Sequence, residues 1–242
     1  MRPAGVLALA LAAALAAEPP PVLEVGKFSA ATEGNGLPEG WKPLTFKKID
    51  KHTVYSVVKD GETTVVKAVS EASASGLTRE IQIDLHTYPI VRWRWKVANV
   101  LQKGDVSKKE GDDYPARLYI TFEYDAGKVG FLKKAQYEAI KLFYGRYPPL
   151  GAINYIWESR APRGTVVPNP FTDEVRMIVV ESGAADLHRW VDEERNVYED
   201  YKRAFGAEPP MISGLAIMTD TDNTGESATA YYGDIAFARA PN

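Results

Sequence analysis

Arg92, Arg94 and Lys96 occupy alternate positions of a run, Pro89 to Val97, whose intervening positions are Val91, Trp93, Trp95 and Val97. In an extended chain successive side chains point to opposite faces. Three cations therefore stand in a row at steps of about 6.6 Å, while two tryptophans and two valines face a core. A second run alternates in the same way, with Leu118, Ile120, Phe122 and Tyr124 against Arg117, Tyr119, Thr121 and Glu123. Arginine forks engage carboxylates and hydroxyls bidentately, and tyrosine offers an apolar plate with a hydroxyl at its tip. If the two runs are near neighbours in one sheet, Arg92, Arg94, Lys96, Arg117, Tyr119 and Glu123 tile a single surface suited to a polysaccharide. The competing reading is a solvated sheet face whose arginines pair with carboxylates.

The loop from Asp220 through Asp222 and Asn223 to Gly225 and Glu226 places oxygen ligands at alternate positions with glycine sixth, as a calcium loop begins. The twelfth position is Tyr231 where such a loop needs a bidentate glutamate. The expectation is therefore either no cofactor or calcium, held by Asp220, Asp222 and backbone oxygens. Its competitor is a turn whose Asp and Asn side chains bond their own backbone. Asp112, Asp113, Glu158, Arg160, Glu174, Arg176 and Glu181 lie near strand ends. Two carboxylates at the right separation divide acid and base work on a glycosidic bond. A sheet-borne Arg, Tyr and Lys set suits β-elimination on uronate sugars. Spacing alone selects no pair. Among the aromatic residues, Trp41, Trp157, Trp190 and Tyr155 read chiefly as core, whereas Tyr144 and Tyr147 sit in a turn-rich segment where a ring can be exposed.

Composition removes several classes. The chain of 242 residues has no cysteine, which excludes disulfides, thiol nucleophiles and cysteine-ligated metal centres. Its 29 basic and 32 acidic residues leave a net charge of -3, which gives no electrostatic case for nucleic acid. No Walker loop, dinucleotide glycine motif or nucleophile elbow occurs.

These residues need a sheet scaffold to position them. Met1 to Ala16 has a positive start, an Ala/Leu run too short to span a bilayer and small residues at Ala14 and Ala16. Residues 1–16 are expected to be a signal peptide and 17–242 a single domain, with no transmembrane segment once the signal is removed. Without cysteine, export fits a bacterial periplasmic or secreted protein. Strands are expected at Val22 to Phe28, Leu44 to Ile49, Val54 to Lys59 and Thr63 to Val69, with Ser73 to Leu77 as hairpin partner. Asp60 and Gly61 mark a turn. Further strands are expected at Pro89 to Val97, Arg117 to Tyr124, Ala152 to Trp157 and Val175 to Val180, and a last pair at Ile212 to Thr219 and Thr229 to Ala238. Two segments take a helical period, Val129 to Tyr144 and Ala185 to Phe205, the second stopped by Gly206. Many strands with two helices disfavour alternating βαβ units. The expected class is mainly β, a two-sheet jelly-roll β-sandwich with two inserted α-helices.

The stretches Tyr88 to Val97, Asp112 to Phe122, Tyr155 to Glu158, Ile212 to Gly225 and Tyr232 to Phe237 together resemble a family of exported bacterial proteins catalogued as a domain of unknown function, number 3047. The resemblance runs from about Phe28 to Phe237 and brings no catalytic residues with it. Its closing pattern is similar to the last strand of galactose-binding-type jelly rolls, which implies that Asp234 and Phe237 tie the final strand to the first. The reading that follows is an exported protein binding a saccharide or cell-envelope glycan through the six residues above. The alternatives are a polysaccharide-active enzyme, lyase or glycoside hydrolase, on the same face, and a structural envelope protein without a small ligand.

Overall fold

A computed structural model describes residues 21–34, 36–124, 127, 130 and 150–240. The expected signal peptide lies outside these residues, and so, Gly130 apart, does the expected helix at 129–144.

The alternation of Val91, Trp93, Trp95 and Val97 is realised in a strand that buries all four. Thirteen strands form among the described residues. They are β1 (Val22–Gly26), β2 (Lys42–Leu44), β3 (Val54–Asp60), β4 (Thr63–Glu71), β5 (Ala74–Ile83), β6 (Ile90–Val97), β7 (Ala116–Phe122), β8 (Gly151–Glu158), β9 (Val166–Asn169), β10 (Thr172–Ser182), β11 (Val191–Asn196), β12 (Ile212–Asp220) and β13 (Ser227–Ala238). One helix, α1 (Val197–Phe205), follows β11. The first sheet has the order β11-β6-β13-β4-β3, with β1 beside the end of β13. The second has the order β2-β5-β12-β7-β8-β10-β9, antiparallel except where β10 runs parallel to β8. The chain passes from one sheet to the other between β1 and β2, β2 and β3, β4 and β5, β5 and β6, β6 and β7, β10 and β11, β11 and β12, and β12 and β13. The architecture is a mainly β, two-sheet sandwich.

Its core is the meeting of the two inward rows. Trp93 stacks on Tyr155 with centroids 5.3 Å apart, and Trp95 meets Trp157 at 6.1 Å. Burying each such ring stabilises the fold by a few kcal/mol, about 25 cal/mol per Å² of apolar surface removed from water. Asp234 does tie the chain's two ends together: its carboxylate accepts from the Ser29 amide at 2.8 Å and hydroxyl at 2.6 Å, while Phe237 lies opposite Leu23.

Several expected elements are corrected. Ser73 to Leu77 is not the hairpin partner of β4, because the chain turns at Ala72, in the left-handed region with φ 45°, and β5 joins the other sheet. The closing pair β12 and β13 is likewise split between sheets. The strand expected over Leu44 to Ile49 stops at Leu44, where a turn closes with the Ile49 amide bonding the Phe46 carbonyl. The second expected helix begins at Val197, not Ala185. Asn196 caps it by accepting from the Glu199 amide at 3.1 Å, and Gly206, with φ 69°, ends it. The residues before it obey a period of two, Val191, Glu193 and Arg195 alternating with Asp192 and Glu194 against β6.

Candidate functional site

The two polar rows lie on opposite outsides of the sandwich. Arg92, Arg94 and Lys96 project from β6 of the first sheet, and Arg117 and Tyr119 from β7 of the second. They do not tile one surface. The reason is topological: β6 and β7 are consecutive in the chain but belong to facing sheets, so residues of the same outward parity diverge.

The β7 row is sealed. A loop between β6 and β7 lays Val106 and Tyr114 on Ile156, Met177 and Val179, forming a second apolar cluster on the outside of that sheet. Arg117, 3 % exposed, is held beneath it. Its Nε donates to Asp220 Oδ1 at 2.7 Å, Nη2 to Asp220 Oδ2 and to the Asp112 carbonyl at 2.7 Å, and Nη1 to the Tyr119 hydroxyl at 3.0 Å. Burial pushes the Tyr119 hydroxyl's pKa up, and the Arg117 charge draws it back. Glu123 stands apart from this network and accepts from Gln82. Asp113 accepts from the Asn223 amide at 3.3 Å and the Thr224 amide at 2.6 Å, fastening the loop after β12.

Asp113, Asp220 and Asp222 each bring a carboxylate oxygen within 4.8 Å of the others, a group that can hold a divalent cation. These hard oxygen donors suit calcium. Burial, then Asp113, pushes the Asp222 carboxyl above its ordinary value, since two carboxylates meet there. Against a cation, both Asp220 oxygens already bond Arg117. The loop spacing points to Asp220 and Asp222; Asp113 joins them through the fold.

The β6 row faces outward, with Arg92 exposed and Arg94 and Lys96 half-buried, and has partners that spacing did not reveal. Arg94 lies along the sheet over Gly233, where an added Cβ would meet its Cγ at 2.5 Å. Its guanidinium stacks on Trp190, 4.7 Å from the ring centroid. Lys96 Nζ sits between two aromatic rings, 5.3 Å from Trp190 and 4.5 Å from Tyr231, and bonds Asp60 Oδ2 at 2.5 Å. The Trp190 indole N–H donates to the same carboxylate oxygen at 2.7 Å. Asp60 reaches this face because β13 pairs with β4 only as far as Tyr232 and with β1 from Ile235 onward, which frees the β3–β4 hairpin tip. The Lys96 bond, helped by Trp190 and opposed by burial, holds the Asp60 carboxyl below its ordinary value. Lys67, opposite Tyr231 in the β4–β13 register, completes a row across three strands. Trp190 and Tyr231 are both half-buried.

Spacing singles out none of Tyr231, Lys67 and Asp60 for this face, and it assigns Trp190, a ring that could stack on a sugar, to the core. The signal available for Trp190 was its parity with Asp192 and Glu194, hidden by the stripe Trp190, Val197, Tyr201 and Phe205. Trp157 and Tyr155 are core, as expected, and Trp41 packs on Phe28 at 5.2 Å. Tyr144 and Tyr147 lie outside the described residues.

No curated protein matches this chain. Among solved structures it is similar to the glycoside hydrolase domain of Endo-D from Streptococcus pneumoniae R6, with 10 % identity and a TM-score of 0.33 over 84 % of this chain and 22 % of that one. The chain thus spans less than a quarter of that protein. It is also similar to a family 30 carbohydrate-binding module of a cellulosomal cellulase from Clostridium thermocellum, with 9 % identity and a TM-score of 0.38 over 91 % of this chain and 99 % of that one. No helix among the described residues is long and apolar enough to cross a membrane. Residues 39–236 match the family described as protein of unknown function (DUF3047), and the chain belongs to that family.

Proposed function

We propose that this is an exported, jelly-roll saccharide-binding protein whose ligand lies on the outer face of the first sheet. Trp190 and Tyr231 supply the stacking surfaces, and Arg94, Lys96 and Lys67 supply the polar contacts. The observation that carries the reading is the placement of Lys96 between the two rings, 5.3 Å from one and 4.5 Å from the other, on a half-buried row of a rigid sheet. Aromatic plates with polar groups beside them match a sugar ring, which has an apolar face and a hydroxylated rim. Asp60 accepts from Lys96 and from the Trp190 indole, and the Lys96 bond lowers its carboxyl's pKa, which suits an acceptor for sugar hydroxyls better than a proton donor. Arg117, Tyr119 and Glu123 take no part in this face.

Titration calorimetry against cell-envelope and algal glycans tests the proposal. Trp190→Ala and Tyr231→Ala should each weaken the glycan that binds by about tenfold, the loss of one aromatic contact with its buried area. Unchanged affinity in both variants, or no binding across the panel, would overturn it. Export predicts a chain recovered from the periplasm or the medium whose intact mass begins at Ala17.

A further inference from the structure

The charge on this face specifies the kind of sugar, an inference that rests on the saccharide reading above. Four cations line the row: Arg92, Arg94 and Lys96 from β6 and Lys67 from β4. Arg92 is matched by Glu194 at 2.6 Å, and Lys96 by Asp60 at 2.5 Å. Arg94 and Lys67 touch aromatic rings, Trp190 at 4.7 Å and Tyr231 at 5.8 Å; among the described residues neither forms a salt bridge, although the Arg94 charge also acts on the Asp60 carboxylate. Asp192 stands opposite Arg94 in the β11–β6 register without pairing with it.

We infer that the face takes an acidic saccharide, a uronate-bearing chain whose rings rest on Trp190 and Tyr231 and whose carboxylates are met by Arg94 and Lys67. A guanidinium or ammonium that bonds an arriving carboxylate makes a charge-assisted hydrogen bond, roughly twice as strong as one between neutral groups. Arg94 is ordered in advance, confined between Gly233 and the indole, so little side-chain freedom is lost when it does so. Lys67, Tyr231 and Lys96 sit on three adjacent strands about 4.8 Å apart, which gives the chain a path across the strands.

The test uses oligogalacturonate and oligomannuronate, each beside its methyl ester, which keeps the ring and removes the charge. The full-length protein is compared with Trp190→Ala and with the Lys67→Gln/Arg94→Gln double variant, all checked for an unchanged unfolding midpoint. We expect at least one acid form to bind about tenfold or more tightly than its ester, the scale of one hydrogen bond to a charged group. That preference should vanish in the double variant and shrink as salt is raised. Trp190→Ala should weaken acid and ester alike. Esters binding as well as acids, or a preference that survives in the double variant, overturns the acidic assignment and leaves the saccharide site standing. If no form binds, the acidic assignment falls and the wider glycan panel decides the saccharide reading; if neither Trp190→Ala nor Tyr231→Ala alters binding, both fall. If a variant's midpoint drops, salt dependence and ester discrimination in the unaltered protein decide the assignment by the same criteria.

Discussion

Two arginines of the same outward parity have opposite energetic roles. Arg92 and its partner Glu194 are more than half exposed, at 54 % and 58 %, so the pair is worth about 0–1 kcal/mol. Arg117 and Asp220 are 3 % and 2 % exposed and share two bonds. Removing one partner of such a pair strands the other in a medium that cannot solvate it, a cost of about 3–5 kcal/mol. Arg117→Met should therefore lower the unfolding midpoint sharply, whereas Arg92→Ala should barely move it; calorimetric scans of the two variants check this, and equal effects would contradict the assignment of buried and exposed rows. The residue types of both rows were legible in the sequence. Their burial was not, because period-two alternation separates inward from outward positions and is silent about what covers an outward face. Tyr114, whose ring lies over Arg117, and Val106, which packs in the same outer cluster, come from a segment that reads as an ordinary loop.

At the scale of elements, β11 is the most informative strand. Glu193 follows the parity of Val191 and Arg195 and enters the sandwich opposite Trp93, accepting from the Trp95 indole N–H at 3.2 Å. Glu181 of β10 approaches from the other sheet, and it is bonded by Arg163, which also reaches Asp186 at 3.0 Å. Burial, then Glu181, raises the Glu193 pKa from 4.5 to about 7, and Arg163 and Arg195 offset this only in part. A carboxyl whose pKa is raised on folding stabilises fully below its unfolded value and loses that contribution as pH climbs through the folded one. The protein should thus lose stability between about pH 4.5 and about 7, by a contribution of about 1–3 kcal/mol. Glu193→Gln should unfold at a higher temperature than the unaltered protein at pH 8, with the gap closing toward pH 5. A gap that is constant or widens on acidification would rule out this origin. Strands with uninterrupted alternation, such as β6 and β7, were readable from the chain. β11 was not, because its six residues run straight into α1 and Trp190 falls in phase with Val197 and Tyr201 in a helical count. Nor did local pattern show that β4 and β5, or β12 and β13, part company; sheet membership is decided by packing between distant segments.

On the scale of the whole molecule, the sandwich separates two polar systems by its aromatic core. One side is a sealed network that fastens the loop after β12; the other is an outward-facing row with half-buried rings. The three aspartates that can hold a divalent cation lie on the first. If Asp113, Asp220 and Asp222 hold it, millimolar calcium should raise the unfolding midpoint, since a ligand of the native state stabilises in proportion to the logarithm of its occupancy ratio. Asp222→Asn should abolish that rise, and a midpoint indifferent to calcium and chelator would mean that Arg117 alone balances the aspartates. The proposed saccharide face is the second side, and mapping separates the two faces most directly. In nuclear magnetic resonance spectra recorded during titration with the tightest-binding acidic oligosaccharide, the account predicts shifts of the Trp190 indole N–H and of backbone amides around Arg94, Lys96, Tyr231 and Lys67. Shifts gathered instead around Arg117, Tyr119 and Asn154, on the outside of the other sheet, would contradict it.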